Sequence, residues 1–398
     1  MPSSVAPPVS SRFALHDPQP RPGFPLVHPD RVEPALFPGL PRTRPQPISR
    51  VFGPLPREFE PEAPVSDFKR ADAGLLQPQS LNRYRQSLRF DLTVDADGYA
   101  WWYVDALSDD GNYGLTMIAF IGSVFSPYYA FSGRHQPTNH CALNVALYGR
   151  RHGRWTMTER GHGDLRRGPD FFKVGPSMLT WDGQTLIAHI DEYTAPIPRR
   201  VRGTIKVKTP QLGDGVFLID PAGRHRWRPL APHSRVEVDF AEPGLSWSGH
   251  GYFDSNDGDE PLEAAFRYWD WSRTALDDGR TAILYNTDLH SGAARHAALL
   301  VNKDGAITTF EPPATHRLAP TPWFRISRRT RTEDPVQTRV IKTFEDTPFY
   351  SRSLIETKLL GTVRRGVHES LCGNKLKRLS TRIMLPFRMP RRPRASRP

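Results

Sequence analysis

From residue 91 onward, apolar and polar positions alternate in short runs separated by turn residues. Asp91-Leu92-Thr93-Val94-Asp95 alternates strictly, and Gly98-Tyr99-Ala100-Trp101-Trp102-Tyr103-Val104-Asp105-Ala106-Leu107 continues as an aromatic strand ended by Asp109-Asp110-Gly111, a hairpin signal. Residues 115–121 supply the return strand, and the spacing persists through 142–148, 155–159, 178–181, 186–193 and 201–208. Trp181-Asp182-Gly183-Gln184 reads as another tight turn. No three-four helical spacing of comparable length interrupts the run, so the pattern predicts an all-β domain over residues 85–240, a barrel or sandwich.

A second copy comes after it. Ala106-Leu107-Ser108-Asp109-Asp110-Gly111 after Trp101-Trp102-Tyr103 is echoed by Ala275-Leu276-Asp277-Asp278-Gly279 after Tyr268-Trp269-Asp270-Trp271, and each is succeeded by an apolar strand. The shared order of strand, turn and strand suggests an internal duplication, with a second all-β domain over 241–365. The two ends differ from the middle. Residues 1–80 hold 18 of the 40 prolines without periodicity, which predicts a disordered tail. Residues 366–398 carry Leu371, Leu376, Leu379, Ile383, Met384 and Leu385 among Lys375, Lys377, Arg378, Arg382, Arg388, Arg391, Arg392, Arg394 and Arg397, an amphipathic basic segment able to lie on an anionic membrane or to dock on the sheets.

The net charge of +12 over 398 residues favours an anionic partner. A membrane surface is preferred to nucleic acid, because the aromatics sit in the strands rather than among the basic residues. Cys141 and Cys372 lie far apart with no companion at ligand spacing, so neither a disulfide framework nor a thiolate metal site is suggested, and a reducing cytoplasm fits best. No apolar run is long enough to span a bilayer, and the start lacks a signal-peptide block.

The candidate chemistry is acid chemistry. His135 with His140, and His225 with His233, lack a zinc spacing, while P-loop, dinucleotide and nucleophile-elbow motifs fail, so no metal or cofactor is called for. In Gly249-His250-Gly251-Tyr252-Phe253-Asp254-Ser255-Asn256 an extended backbone puts His250, Tyr252 and Asp254 on one face and Phe253 on the other. If that face is the dry interior of a barrel, Asp254 holds its proton and becomes a Brønsted acid; alternatively, Asp-Ser-Asn-Asp-Gly is a turn and Asp254 merely opens a loop. His225-Arg226-Trp227 would place His225 and Trp227 together on a second strand.

Several of these stretches resemble the acyclic carotenoid 1,2-hydratases, also called hydroxyneurosporene synthases. They are Gly98-Tyr99-Ala100-Trp101-Trp102-Tyr103-Val104-Asp105-Ala106, Phe125-Ser126-Pro127-Tyr128-Tyr129, Pro137-Thr138-Asn139-His140-Cys141-Ala142-Leu143-Asn144-Val145-Ala146-Leu147-Tyr148, the Gly249–Asn256 motif and the ending Leu385-Pro386-Phe387-Arg388-Met389-Pro390-Arg391-Arg392. The resemblance covers about residues 85–392. It implies two lipocalin-like β-barrels in tandem, cofactor-free addition of water to the terminal double bond of lycopene or neurosporene, and peripheral attachment to the cytoplasmic side of the photosynthetic membrane. By motif the family's functional residues fall on His225, Trp227, Tyr252 and Asp254, with Asp254 as proton donor.

The residue types agree with that chemistry. Trp227 and Tyr252 would offer ring faces to a cation, His225 would bond Asp254 or orient the water, and Trp269 and Trp271 would line the polyene channel. The rival expectation is a double lipocalin that carries carotenoid without converting it, for which a buried acid has no use.

Overall fold

The computed structural model describes residues 74–76, 88–209, 211–213 and 215–392. The alternating segments form strands as expected, in two large and almost wholly antiparallel sheets and a two-stranded ribbon. The all-β class therefore holds, and its division into parts departs from the expected boundaries.

The first sheet has twelve strands. Its centre runs from Arg154–Arg160 through Cys141–Tyr148, Gly114–Ile121, Tyr99–Ser108, Leu245–Gly258 and His225–Glu242 to Arg200–Lys208 and Thr185–Tyr193. The sheet curls until its first strand meets Thr185–Tyr193: Thr156 Oγ1 donates to the Tyr193 carbonyl at 2.7 Å, and the Arg160 guanidinium grips Glu192 at 2.9 and 2.7 Å. This is a near-closed barrel, and its interior is filled by Ala100, Trp102, Val104, Met117, Leu143, Phe253 and their neighbours.

The second sheet has eight strands, among them Phe266–Ala275, Thr281–Leu289, Ala294–Val301, Tyr350–Leu359 and Thr362–Cys372. The repeated turn sequence does the same work in both sheets, joining Tyr99–Ser108 to Gly114–Ile121 and Phe266–Ala275 to Thr281–Leu289. In each turn the glycine, Gly111 or Gly279, takes the positive φ that other residues avoid. The strand Leu245–Gly258, expected to open the second domain, instead pairs with His225–Glu242 and Tyr99–Ser108, so the first sheet ends at Gly258 rather than near residue 240.

The two sheets meet through a second apolar cluster. Tyr99, Trp101 and Tyr103 point away from the barrel interior and pack with Trp227, Tyr252, Trp269, Trp271, Tyr285 and Leu371. Strand Tyr99–Ser108 is thus buried on both faces, which is why its sequence reads as a continuous apolar run rather than a clean alternation.

The two ends differ in how far the structure describes them. Most of residues 1–80 lie outside the described residues, but Gly74–Leu75 forms a short strand parallel to Ala294–Val301. The basic segment expected from 366 begins later, because strand Thr362–Cys372 claims Leu371 for the core. Three short turns come after that strand, Gly373–Leu376, Leu379–Met384 and Leu385–Phe387, and Pro386 and Pro390 have no N–H with which to extend them. Much of the positive charge is engaged by protein: Arg382 donates to Glu263 at 2.9 Å, Arg391 pairs with Glu159, and Arg388 lies 4.4 Å over the Trp155 ring. Among the described residues no helix is long and apolar enough to cross a membrane.

Candidate active site

Asp254 does not open a turn. Every residue from Asp254 to Gly258 pairs with strands on both sides, so this stretch is the end of a central strand. Phe253 enters the barrel interior, while Tyr252, Asp254 and Asn256 share the opposite face. That face is not the interior of a barrel; it looks across to the second sheet.

Residues opposed in an antiparallel ladder lie side by side on one face, so the register lays out the site. One row crosses five strands as Asp254, Tyr103, Ile118, Asn144 and Met157, and a parallel row begins with Asn256, Trp101 and Phe120. The second sheet answers with a row of Tyr285, Trp271 and Glu369. These residues line a cavity of about 440 Å³, together with Phe349 and with Met384, Leu385 and Phe387 of the terminal turns.

The Asp254 carboxyl is held on three sides. Its Oδ2 accepts from the Tyr252 hydroxyl at 2.7 Å and from Trp227 Nε1 at 2.9 Å, and its Oδ1 accepts from Asn256 Nδ2 at 3.1 Å. The indole N–H is shared with the Tyr252 oxygen at 3.2 Å. Burial pushes the carboxyl well above the usual carboxylate range; the Tyr252 and Trp227 donors pull it back only in part, and the negative charges of Glu369 and Asp105 push it further up.

The neighbouring charges neutralise one another rather than Asp254. Arg273 pairs with Asp105, and Arg352 bridges Asp105 and Glu369. The Tyr103 hydroxyl lies between the two carboxylates, 2.9 Å from Asp105 and 2.7 Å from Glu369. Two acids and two guanidiniums cancel. Among the described residues no Lys or Arg forms an ion pair with Asp254, so the cheapest way to bury it is with its proton on.

The other expected residues separate into two groups. Trp269 and Trp271 line the cavity, the first 6.1 Å from the Trp101 ring and the second 5.8 Å from that of Tyr103. Trp227 and Tyr252 touch Asp254 with their polar tips, but their rings are packed behind it, Trp227 against Phe217 at 5.1 Å and Tyr285 at 5.0 Å. They position the acid rather than offer faces to a cation. His225 does neither: its Nδ1 meets the Tyr99 hydroxyl at 2.8 Å and its Nε2 meets Glu260 at 3.2 Å. It pairs with Gly258, four residues along from Asp254 and so on the order of 13 Å away.

Tyr103, Asn256 and Glu369 are part of the site and were not singled out from sequence. Asn256 was within reach, since two residues after Asp254 on a strand is the same face. Glu369 was not, because only the pairing of distant strands brings it to the cavity.

The fold and site define a β-sheet protein that presents Asp254, a buried carboxyl without an ion-pair partner among the described residues, to an aromatic-walled cavity between two sheets. Comparison places it more closely. The family model Carotenoid hydratase CrtC matches residues 117–397. The acyclic carotenoid 1,2-hydratase of Thiocapsa roseopersicina is 54% identical over 306 residues, covering 76% of this chain and 75% of that protein. Those of Rubrivivax gelatinosus and Cereibacter sphaeroides are 51% identical over 309 residues and 42% identical over 281; they cover 76% and 70% of this chain, and 76% and 98% of their own. The chain belongs to the carotenoid hydratase family. Among solved structures, kievitone hydratase from Nectria haematococca is similar over 74% of this chain and 96% of that one, at 9% identity and a TM-score of 0.42.

Proposed function

We propose that this protein hydrates the terminal C1=C2 double bond of acyclic carotenoids such as lycopene and neurosporene. The observation that carries the reading is Asp254, a carboxyl without a cationic partner, raised in pKa and facing an apolar cavity. An isolated trisubstituted alkene needs an acid, not a base. The Asp254 proton goes to C2, the π pair forms the new C–H bond, and the positive charge is left on tertiary C1. Water adds to C1 and its extra proton returns to the Asp254 carboxylate. Atoms balance and no electrons are gained or lost, so the reaction needs no cofactor.

The cation passes between ring faces of Trp101, Trp269, Trp271 and Tyr285, which attract positive charge without forming a bond to it. General acid catalysis contributes ~10²- to 10⁴-fold, and burial is what keeps the acid protonated at neutral pH. The Tyr252 and Trp227 donors stabilise the carboxylate that each transfer leaves behind.

The cavity holds only the end of a long polyene, and the remainder must stay in an apolar medium. Exposed Trp323, Leu379, Ile383 and Phe387 lie on the segments that border the cavity mouth, beside Lys377 and Arg378. This supports peripheral attachment to a membrane by apolar contact with the lipid, with less of the basic tail free to help than its composition suggests. The test is incubation with lycopene in lipid vesicles and heavy-oxygen water without cofactor. A 1-hydroxy product carrying the label is expected; unchanged lycopene beside folded protein would leave only a carrier.

A further inference from the structure

Hydration has two reactants, and the acid and its aromatic walls account for the alkene alone. The second is water, which must reach C1 on one side of a greasy cavity before the cation loses a proton instead. Asn256 lies next to Asp254 on the same strand face, lines the cavity and is only 5% exposed. Its two amide atoms have different fates. Nδ2 donates to Asp254 Oδ1 at 3.1 Å, which fixes the plane of the amide. Oδ1 is buried and hydrogen-bonds to no protein atom. A buried acceptor left unpaired costs free energy comparable to a lost hydrogen bond, so this oxygen favours a partner from outside the protein, and it lines the cavity where the reactants meet.

We propose that Asn256 binds the attacking water. One water hydrogen is donated to Asn256 Oδ1 and the other to Asp254 Oδ1, the oxygen that has just released its proton. With both hydrogens held, the lone pairs face the cavity, and one of them forms the bond to C1. The oxonium then returns its proton to Asp254 Oδ1 along the hydrogen bond already made. The O–H bond breaks, the carboxylic acid is restored, and the H and OH arrive from the same side of the alkene. Asp254 Oδ2 is taken up by Tyr252 and Trp227, so Oδ1 is the oxygen left to exchange protons, and it is the one Asn256 touches.

This inference rests on the hydratase reading and is tested separately from it. Without an oriented water the cation still forms, but it reverts by losing a proton. In deuterated water the full-length protein with lycopene in vesicles then yields two products, hydrated carotenoid and recovered lycopene that has gained deuterium at its end group. In Asn256→Leu the ratio of exchange to hydration is expected to rise by about 10-fold, the effect of one lost hydrogen bond to a reacting group. Both rates come from one sample, so the folded fraction cancels. Asn256→Ser, which keeps a smaller acceptor, is expected to move the ratio partway back and covers the case in which the leucine variant does not fold. A ratio unchanged in both variants, with exchange and hydration falling together or not at all, overturns the water-binding role. Wild-type protein that neither hydrates nor exchanges instead removes the hydratase reading itself.

Discussion

Tyr252 donates a 2.7 Å hydrogen bond to Asp254, its neighbour two positions along the same strand face, and the same carboxyl oxygen takes the Trp227 N–H. Donors of this kind favour the carboxylate, yet the site's burial favours the acid. The two effects oppose each other: burial raises the pKa of the carboxyl, and the donors hold it lower than burial alone would. Removing a donor should therefore make the acid weaker. In Tyr252→Phe the alkaline limb of the rate profile is expected to move to higher pH, while the plateau rate drops by about 10-fold for one lost charge-assisted bond. A pH series of initial hydration rates checks both signs together.

Asp254→Asn keeps the shape of the side chain and removes the proton. Hydration should fall by ~10²-fold or more, as for the loss of a general acid, with far-ultraviolet circular dichroism unchanged. Its stability should change in a pH-dependent way. The folded pKa of Asp254 lies above the unfolded one, so the folded state binds the extra proton and is stabilised fully only below the unfolded value of about 4. Wild-type stability from this group is lost as pH rises from there through the folded pKa. The asparagine variant carries no such loss, so its melting temperature should gain on wild type as pH increases. A difference that is flat with pH would mean that Asp254 is not carrying a raised pKa.

His225 tests the division between chemistry and scaffold. Its ring is bound by Tyr99 and Glu260 at the far end of the strand, away from Asp254. His225→Ala is expected to cost about 1–3 kcal/mol of stability through the buried Tyr99 hydroxyl left without its partner, while the alkaline limb of the surviving activity stays where it is. Melting curves and the pH profile read the two effects independently.

How much of the molecule was legible in its sequence depends on the range of the interactions. The shared face of Tyr252 and Asp254 was legible because a strand's period of two is local, and so were the repeated hairpins. Which side of the strand is the barrel interior was not legible, because Tyr99–Ser108 and the second half of Leu245–Gly258, from Gly251 on, are buried on both faces. The boundary near 240 failed for a related reason. The strand after it completes the first sheet by pairing with residues some 150 positions earlier in the chain, from Tyr99 to Ser108, and no local signal marks such a pairing. Trp227 and Tyr252 lie against Asp254, but whether they present donors or ring faces depends on where their polar tips point, which no local pattern fixes.

The wall opposite the acid should matter through its faces. Trp271 lies 4.9 Å from the Tyr252 ring and lines the cavity beside Asp254. Trp271→Phe keeps a ring with a weaker quadrupole and Trp271→Leu keeps only bulk. The expected order of rates is Trp, then Phe, then Leu, the last down by about 10-fold for a loss of roughly 1–2 kcal/mol of attraction to the cation. Equal rates for Phe and Leu would assign Trp271 to packing, and relative rates on one vesicle preparation decide it.

Glu369 acts on Asp254 at a distance. Its negative charge helps hold the Asp254 pKa up, while Arg352 and the Tyr103 hydroxyl hold Glu369 in place. Glu369→Gln removes that charge and leaves the Arg273, Arg352 and Asp105 cluster one positive charge in excess. Both changes favour ionised Asp254. The alkaline limb should therefore move to lower pH, opposite in direction to Tyr252→Phe. The unbalanced guanidinium should also destabilise the fold by about 3–5 kcal/mol, as for a buried ion pair broken on one side. Replacing Arg352 and Glu369 together with methionine and glutamine restores neutrality and should recover most of that stability. It should not restore the pH limb, because the charge that Asp254 feels is then carried by Asp105 and Arg273 alone. Stability recovered with the limb still displaced would separate what the ion network does for the fold from what it does for the acid.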